Sequence, residues 1–326
     1  MQRDSNPHKN SREFRQVSKK YRRQKRKTRL RDRLGSLALR IGFLLLTAAA
    51  VIAVWVCTRP KPVPGLPDRL RVCFLDVGQG DAALIRTASH AVLIDAGDYE
   101  QGYQVVHMLK ALGVTKLDAV ISSHPHADHL GGMATVLQCI PADAVYWPDI
   151  PQQLMPTAGS AVSMLDAAEA LQIPLRIPAC HEKLMLGDAE LEFLSTDNAA
   201  FDNLNDCSLC CKITCGKVSF LFTGDLEKAG EAALRTAGLL SPVTVLKMPH
   251  HGSSASTSAE FLQTLAPRYA VISVGAMNDY GHPSDKCLQL LHQAGCTVYR
   301  TDLDGSIMLA TDGETLQAVP NWDFGL

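Results

Sequence analysis

The chain predicts a mixed α/β body over residues 69–326, placed behind one membrane-spanning helix, and three observations lead there. The first is the distribution of charge. The 326 residues hold 32 Lys/Arg and 33 Asp/Glu, a net −1, yet residues 1–40 carry 15 basic and 3 acidic side chains. Residues 58–326 carry 17 basic and 30 acidic side chains, so a +12 tail and a −13 body cancel. Such asymmetry points to a membrane or a polyanion partner and excludes a simple cytosolic globule. The second is an uncharged run of seventeen residues, Ile41–Cys57. The third is a series of short apolar runs bounded by Gly, Asp, Asn or Pro and alternating with helical spacings. A hydrophobic content of 46% excludes a wholly disordered or collagen-like chain.

Residues 1–36 are so rich in Lys and Arg that they cannot bury enough apolar surface to offset ordering, and a disordered cytoplasmic tail is expected. Residues 37–57 then supply 21 positions, which at about 1.5 Å per residue cover one hydrocarbon core of roughly 30 Å. A cleavable signal peptide would need a small-residue site after the run; Trp55, Val56, Cys57 and Thr58 offer none. The expectation is a single-pass signal anchor with its N-terminus cytoplasmic and its body extracytoplasmic, because the basic flank precedes the helix. Residues 58–68 hold four prolines and read as a stiff linker.

Strands are expected at Leu70–Val77, Ala82–Ile85, Ala91–Ile94, Ala119–Ile121, Val145–Trp147, Leu191–Leu194, Ser208–Thr214, Val218–Phe222, Val243–Met248, Tyr269–Val274 and Thr297–Tyr299. Val105, Met108, Leu109 and Leu112 stand at i, i+3, i+4, i+7 before Gly113, and Cys287, Leu290, Leu291 and Ala294 repeat that spacing before Gly295. No internal period suggests a repeat architecture.

His124-Pro-His126-Ala-Asp128-His129 carries the chemistry. Neutral imidazole and carboxylate are ligands that suit zinc and similar divalent ions. On a loop after strand Ala119–Ile121, His124 and His126 can face one ion while Asp128 and His129 face a second. Gly131-Gly132 lets the backbone pass close and start a helix. One or two Zn²⁺ ions are expected, with Mn²⁺ as an alternative and no organic cofactor.

Further motifs follow in order: Phe74-Leu-Asp76-Val-Gly-Gln79-Gly-Asp81-Ala82, Leu93-Ile-Asp95-Ala-Gly97, Leu221-Phe-Thr-Gly-Asp225, Leu246-Lys247-Met-Pro-His250-His251-Gly-Ser253, and Asn278-Asp-Tyr-Gly-His282-Pro283. In that combination, over roughly residues 70–310, the body resembles the ComEC-like competence-protein branch of the metallo-β-lactamase superfamily. The resemblance implies an αββα four-layer sandwich with a metal site at one edge of its two sheets. It implies His124 and His126 as ligands of the first metal, Asp128 and His129 of the second, Asp225 as the bridging carboxylate and His250 as the late histidine ligand. His251 is the alternative to His250. Asp95 would hold the metal loop by hydrogen bonds. Most of the superfamily supplies another His before the bridging Asp, and His181 is the only one in that interval, too early to serve. Asn205, Asp206 or water would complete the first site. Members of the branch carry a polytopic channel, whereas this chain shows one apolar segment.

With such a site, two cations lower the pKa of a bound water and clamp a phosphoryl or carbonyl oxygen. Asp128 is then catalytic as well as a ligand, His282 is the first candidate for leaving-group acid or substrate contact, and His251 the next. Asp76, Gln79 and Asp81 line or brace the site, Lys247 either meets an anionic substrate or is solvated, and Ser253 follows the His pair. The expected function is a membrane-anchored metal-dependent hydrolase, a phosphodiesterase or nuclease using a metal-bound hydroxide on nucleic acid, including extracellular DNA. The alternatives are a cell-wall phosphoester, a lactone or a β-lactam as substrate, or a non-catalytic binding subunit of a membrane complex. Cys207, Cys210, Cys211 and Cys215 look like a cluster, but alternation along a strand sends Cys210 and Cys211 to opposite faces, so they read as buried apolar residues. So many scattered cysteines suit a reducing habitat better than obligatory disulfides.

Overall fold

The computed structural model describes residues 69–324, residues 40–47 and the single positions 19, 20, 22, 23, 26 and 67. The chain divides into two compact units, 1–59 and 60–326. In the first unit Lys19, Lys20, Arg22, Arg23 and Arg26 are helical, where the sequence reading expects disorder. Lys and Arg are good helix formers, so charge alone does not forbid a helix there. Residues 40–47 are helical, and the rest of the expected span 37–57 lies outside the described residues, as does nearly all of the expected linker 58–68. Among the described residues no helix is long and apolar enough to cross a membrane.

Among the described residues of the second unit, fifteen strands form two sheets. The strands are β1 Leu70–Phe74, β2 Ala83–Arg86, β3 Ala91–Ile94, β4 Ala119–Ile121, β5 Val145–Tyr146, β6 Leu175–Arg176, β7 Lys183–Leu186, β8 Ala189–Leu194, β9 Cys210–Cys215, β10 Val218–Phe222, β11 Val245–Lys247, β12 Tyr269–Ile272, β13 Thr297–Arg300, β14 Ile307–Thr311 and β15 Leu316–Val319. The first sheet runs β15-β14-β1-β2-β3-β4-β5-β6 and the second β13-β12-β11-β10-β9-β8-β7. Each changes character part-way. The pairs from β15 to β3 are antiparallel and β3 to β6 parallel. In the second sheet β7 to β10 are antiparallel and β10 to β13 parallel.

Helices cover the outer faces. α1 Gly102–Ala111, the short α2 Ala127–Leu130, α3 Met133–Cys139 and α4 Gly159–Ala170 belong to the first sheet, burying Val105, Leu109, Met133, Val136 and Met164 against Cys73, Leu84 and Leu93. α5 Lys228–Thr236, α6 Ala259–Leu265 and α7 Asp285–Gln293 cover the second sheet through Leu234, Phe261, Leu265 and Leu291. A short α8, Thr301–Asp304, follows β13. Between the sheets lies a third core of Phe74, Ile85, Phe193, Phe220 and Phe222, with the Phe74 and Phe222 rings stacked at 5.8 Å. Three apolar layers separating four structural layers give the αββα sandwich.

The cysteines follow the strand period. In β9, Cys210 packs under the helices while Cys211 and Cys215 enter the core between the sheets. All nine cysteines among the described residues are free thiols.

Candidate metal centre

Strand ends from both sheets converge at one edge. β3 delivers Asp95 and β4 leads into Ser122–Leu130; from the other sheet β10 delivers Asp225, β11 the Pro249–Ser253 turn and β12 Ser273. These are the carboxyl ends of the parallel strands, the place where α/β sheets hold ligands. Two glycines allow the close approach. A Cβ on Gly80 would stand 2.4 Å from the Asp128 carbonyl oxygen, and one on Gly132 2.3 Å from that of Ala96. Gly80 also has φ 144°, and the following Asp81 N–H donates to the Asp128 carbonyl at 3.0 Å.

His129 is at the middle of the cluster and fully buried. Its Nδ1 donates to Asp95 Oδ2 at 2.9 Å, and the same carboxylate accepts from the Ser123 N–H (2.8 Å) and Oγ (2.6 Å). A carboxylate partner on Nδ1 assigns a proton there and turns Nε2 toward the cluster, the arrangement usual behind metal-binding imidazoles. That Nε2 lies 3.1 Å from Asp225 Oδ1 and 4.0 Å from Asp128 Oδ2. His251 repeats the device from the other sheet: Nδ1 donates to the Ser273 carbonyl at 2.9 Å, and Nε2 stands 3.3 Å from Asp128 Oδ2 and 3.6 Å from Asp225 Oδ2. One donor atom from each of Asp128, His129, Asp225 and His251 lies within 4.8 Å of all the others. His129 Nε2, His251 Nε2 and Asp225 Oδ1 have no hydrogen-bond partner despite burial. Buried imidazole and carboxylate atoms without a well-formed hydrogen bond, facing one point from both sheets, fit a divalent cation.

The other expected ligands are close but arranged differently. His124 is buried with Nδ1 3.1 Å from Ser123 Oγ; its Nε2 is 3.0 Å from His126 Nδ1 and 3.9 Å from Asp225 Oδ2. His124 and His126 therefore flank Asp225 while bonded to each other. His250 lies at the rim, with Nε2 3.7 Å from Asp225 Oδ2 and Nδ1 3.4 Å from Glu227 Oε1. The sequence reading favours His250 as the late ligand, but the buried donor facing Asp128 is His251. Both residues have φ 51°, and from that left-handed turn His251 faces the cluster while His250 stands beside Glu227.

Asn205 donates through Nδ2 to Glu227 Oε1 at 3.0 Å and keeps a buried, unpartnered Oδ1. Asp206 is not free to complete a site. Its Oδ1 accepts from the Glu227 and Gly230 N–H groups at 3.0 and 2.8 Å, and its Oδ2 from Asn203 at 2.9 Å, so it caps α5. Lys247 is neither solvated nor offered to a substrate: it is 3% exposed, with Nζ 2.6 Å from Asp81 Oδ2 and donating to the Met248 carbonyl. Asp81 sits behind the cluster, 3.4 Å from His251 Nδ1. Asp76 accepts from Gly78 N–H and Gln79 accepts from Gly275 N–H at 3.2 Å, which ties the first turn to the loop after β12. Ser253 Oγ accepts from Ala255 N–H and shapes the turn after the histidines. His282 is half-buried, its ring 5.7 Å from that of His250. His181 is exposed and bound to Glu192, away from the cluster. Ser123, Glu227 and Ser273 are contributors the sequence reading passes over; Glu227 stands two residues beyond Asp225, a spacing that could have flagged it.

Charge balance at the site is internal. Burial alone would lower His251 and raise Asp128, but Asp225 and Asp81 push His251 up to about 10, while His251 and His129 bring Asp128 to about 2. His129 is also raised, by Asp225 and Asp95 acting against burial. His124 is held well below its ordinary value by burial and by His129, so it stays neutral. Burial, His250 and His251 lower His282 as well, so at neutral pH it is a neutral imidazole and not a charged acid.

A model of the metallo-beta-lactamase superfamily matches residues 75–276. The chain belongs to the metallo-beta-lactamase superfamily. ComE operon protein 3 of Bacillus subtilis is 32% identical over 271 residues, covering 75% of this chain and 33% of that protein. Competence protein ComA of Neisseria gonorrhoeae is 33% identical over 267 residues, covering 80% and 35%. The chain thus spans about a third of the length of these curated relatives. Among solved structures, the diiron β-hydroxylase CmlA of Streptomyces venezuelae superposes with a TM-score of 0.50 at 16% identity, over 75% of this chain and 55% of that one. This last likeness shows the fold alone.

Proposed function

We propose that the chain is a metal-dependent phosphodiesterase acting on nucleic-acid strands, anchored to the membrane by residues 37–57 with its hydrolase domain outside the cytoplasm. The observation that carries the catalytic part is the convergence of the Nε2 atoms of His129 and His251 with the carboxylates of Asp128 and Asp225, the two imidazoles held from behind by Asp95 and Ser273. These residues would hold one divalent ion, Zn²⁺ or Mn²⁺, and His124, His126 and the unpartnered Asn205 Oδ1 would contribute to a second. Bound there, a divalent cation supplies Lewis acidity and lowers the pKa of a coordinated water. The chain's own groups do the remainder. Asp95 and Ser273 fix the two imidazoles, so the donors cost no reorganisation when charge develops. Burial of His124, His129 and His251 excludes bulk water behind them. The neutral His282, carrying one ring N–H, hydrogen-bonds the leaving oxygen at the open side. The choice of a phosphodiester rests on the kinship with competence proteins, and the anchor on the uncharged run 41–57 between a basic flank and the body.

The test is metal content and turnover of the full chain in detergent. Zn²⁺- and Mn²⁺-loaded protein is assayed on a bis-aryl phosphodiester, single- and double-stranded DNA and nitrocefin. Phosphodiester and DNA cleavage, lost in Asp128→Ala with an unchanged circular dichroism spectrum, is expected. Cleavage of nitrocefin alone would move the substrate to a β-lactam. Less than one metal per chain with no turnover would leave a binding subunit.

A further inference from the structure

The loop after β12 builds a column of rings that runs out from the metal centre. Tyr280 stacks on His282, ring centroids 5.8 Å apart and planes at 20°, and His282 meets the His250 ring edge-on at 5.7 Å. His250 in turn stands 3.7 Å from the Asp225 carboxylate. The outer end of the column is open: Tyr280 is 70% exposed, so one face of its ring is on His282 and the other meets solvent. A large exposed aromatic held by a floppy loop would need no explanation. This loop is not floppy. Asn278 ties it together, donating through Nδ2 to the Gly275 and His282 carbonyls (2.9 and 2.7 Å) and accepting through Oδ1 from the Tyr280 and His282 N–H groups (3.2 and 3.0 Å). Four hydrogen bonds from one side chain fix the Tyr280–His282 pair relative to the site before any ligand arrives.

We propose that Tyr280 is a stacking platform for an unpaired nucleobase next to the scissile phosphodiester, which makes single strands the substrate class of the metal centre; the inference rests on the function proposed above. Charge favours this over backbone recognition. Residues 58–326 carry 17 basic against 30 acidic side chains, and Lys247, buried behind the cluster, is already neutralised by Asp81. Little general attraction for phosphates is left, so affinity for a strand has to come from ring contacts, which accept any base because every base has a π-face. A base inside a duplex already has both faces covered and offers nothing to Tyr280.

The experiment measures binding of two strands to the metal-loaded full chain. Both have phosphorothioate linkages, so that they survive the measurement, and equal length; one is an oligothymidylate and the other is abasic throughout. The wild type should bind the base-bearing strand about ten-fold more tightly. Tyr280→Ala should remove that preference, Tyr280→Phe and Tyr280→Trp should keep it, and Asn278→Ala should weaken it with Tyr280 still present. A Tyr280→Ala chain that still prefers the base-bearing strand would overturn the platform and leave the phosphodiesterase reading standing. So would a Tyr280→Phe chain that loses the preference with the alanine variant. A wild type that binds neither strand would overturn the platform and the nucleic-acid substrate together, while cleavage of the bis-aryl phosphodiester would still decide the reaction type.

Discussion

At the scale of residues, His250 and His251 are chemically identical neighbours that only backbone direction separates. His251 donates Nδ1 to the Ser273 carbonyl and turns Nε2 into the four-donor cluster, while His250 stands at the rim beside Glu227. His251→Ala should therefore lose the most tightly held ion, and His250→Ala should retain it with reduced turnover. Metal per chain after dialysis separates the two, and equal loss in both variants would mean that the pair shares the ligand role. Lys247 makes a second test at this scale. Its ammonium is buried against Asp81, and removing one member of a buried pair costs about 3–5 kcal/mol. Lys247→Met should lower the Tm by roughly 6 °C or more for a body of this size, and an unaltered melting curve would mean that Asp81 is neutral when its partner is gone. The sequence leaves the choice between His250 and His251 open and does not reach the Lys247 pair. A lysine at a strand end reads as solvated, and the Asp81 that buries it lies 166 positions earlier.

Among the elements, β9 shows how strand alternation disperses a tempting motif. Cys210 and Cys211 face opposite cores, and burial pushes the Cys210 thiol up to about 12 and those of Cys207 and Cys287 to about 11. In a chain carrying Cys57→Ser, a thiol reagent at pH 8 should label Cys180 promptly, Cys139 and Cys296 slowly, and the six buried cysteines only after unfolding. Rapid modification of Cys210 in the folded chain would place the strand elsewhere. The elements legible in the sequence are those with one local cause. β3, β4 and β10 coincide with apolar runs closed by turn residues, and α1 and α7 with clean helical spacing. β14 is not legible although every residue of Ile307–Thr311 is buried, because its place depends on pairing with β1, more than 230 residues away, and β15 is placed only by its pairing with β14. α4 is hidden for a different reason: Gly159–Ala170 is rich in Ala and Ser and has no strong apolar stripe. In the site, the HxHxDH loop and Asp225 were legible because they are contiguous or end a clear strand. The roles of His251, Asp206 and Lys247 depend on which way a turn, a cap and a buried pair point.

The whole body is joined across its two sheets by the same cluster that would bind the metal. Asp95 and His129 come from the first sheet, Asp225 and His251 from the second, and burial leaves each to be balanced by the others. The sign of the pH dependence follows for the metal-free molecule. For His129 and His251 burial favours the neutral ring, yet Asp225 with Asp95 or Asp81 raises both, His251 to about 10. Folding then takes up protons, so this contribution is complete below the unfolded value of about 6.5 and disappears as pH rises through about 10. Asp128 and Asp225 run the other way. Burial would raise them, but the imidazoles lower Asp225 well below its ordinary value and Asp128 to about 2. Their contribution is present above about pH 4 and lost as pH falls through about 2. The chelated chain should therefore melt highest between roughly pH 4 and 6.5 and lose stability steadily toward pH 10. A bound cation replaces those imidazole protons, so loading at pH 7 should release protons, and metal affinity should climb with pH over the same interval. Titration calorimetry in two buffers of different ionisation enthalpy counts the protons, and melting of chelated and loaded chains across pH 4–10 supplies the stability curve. A flat chelated curve above pH 7 with no proton release would show that the imidazoles are neutral before the metal arrives, and that the two sheets are held at this edge without their charge.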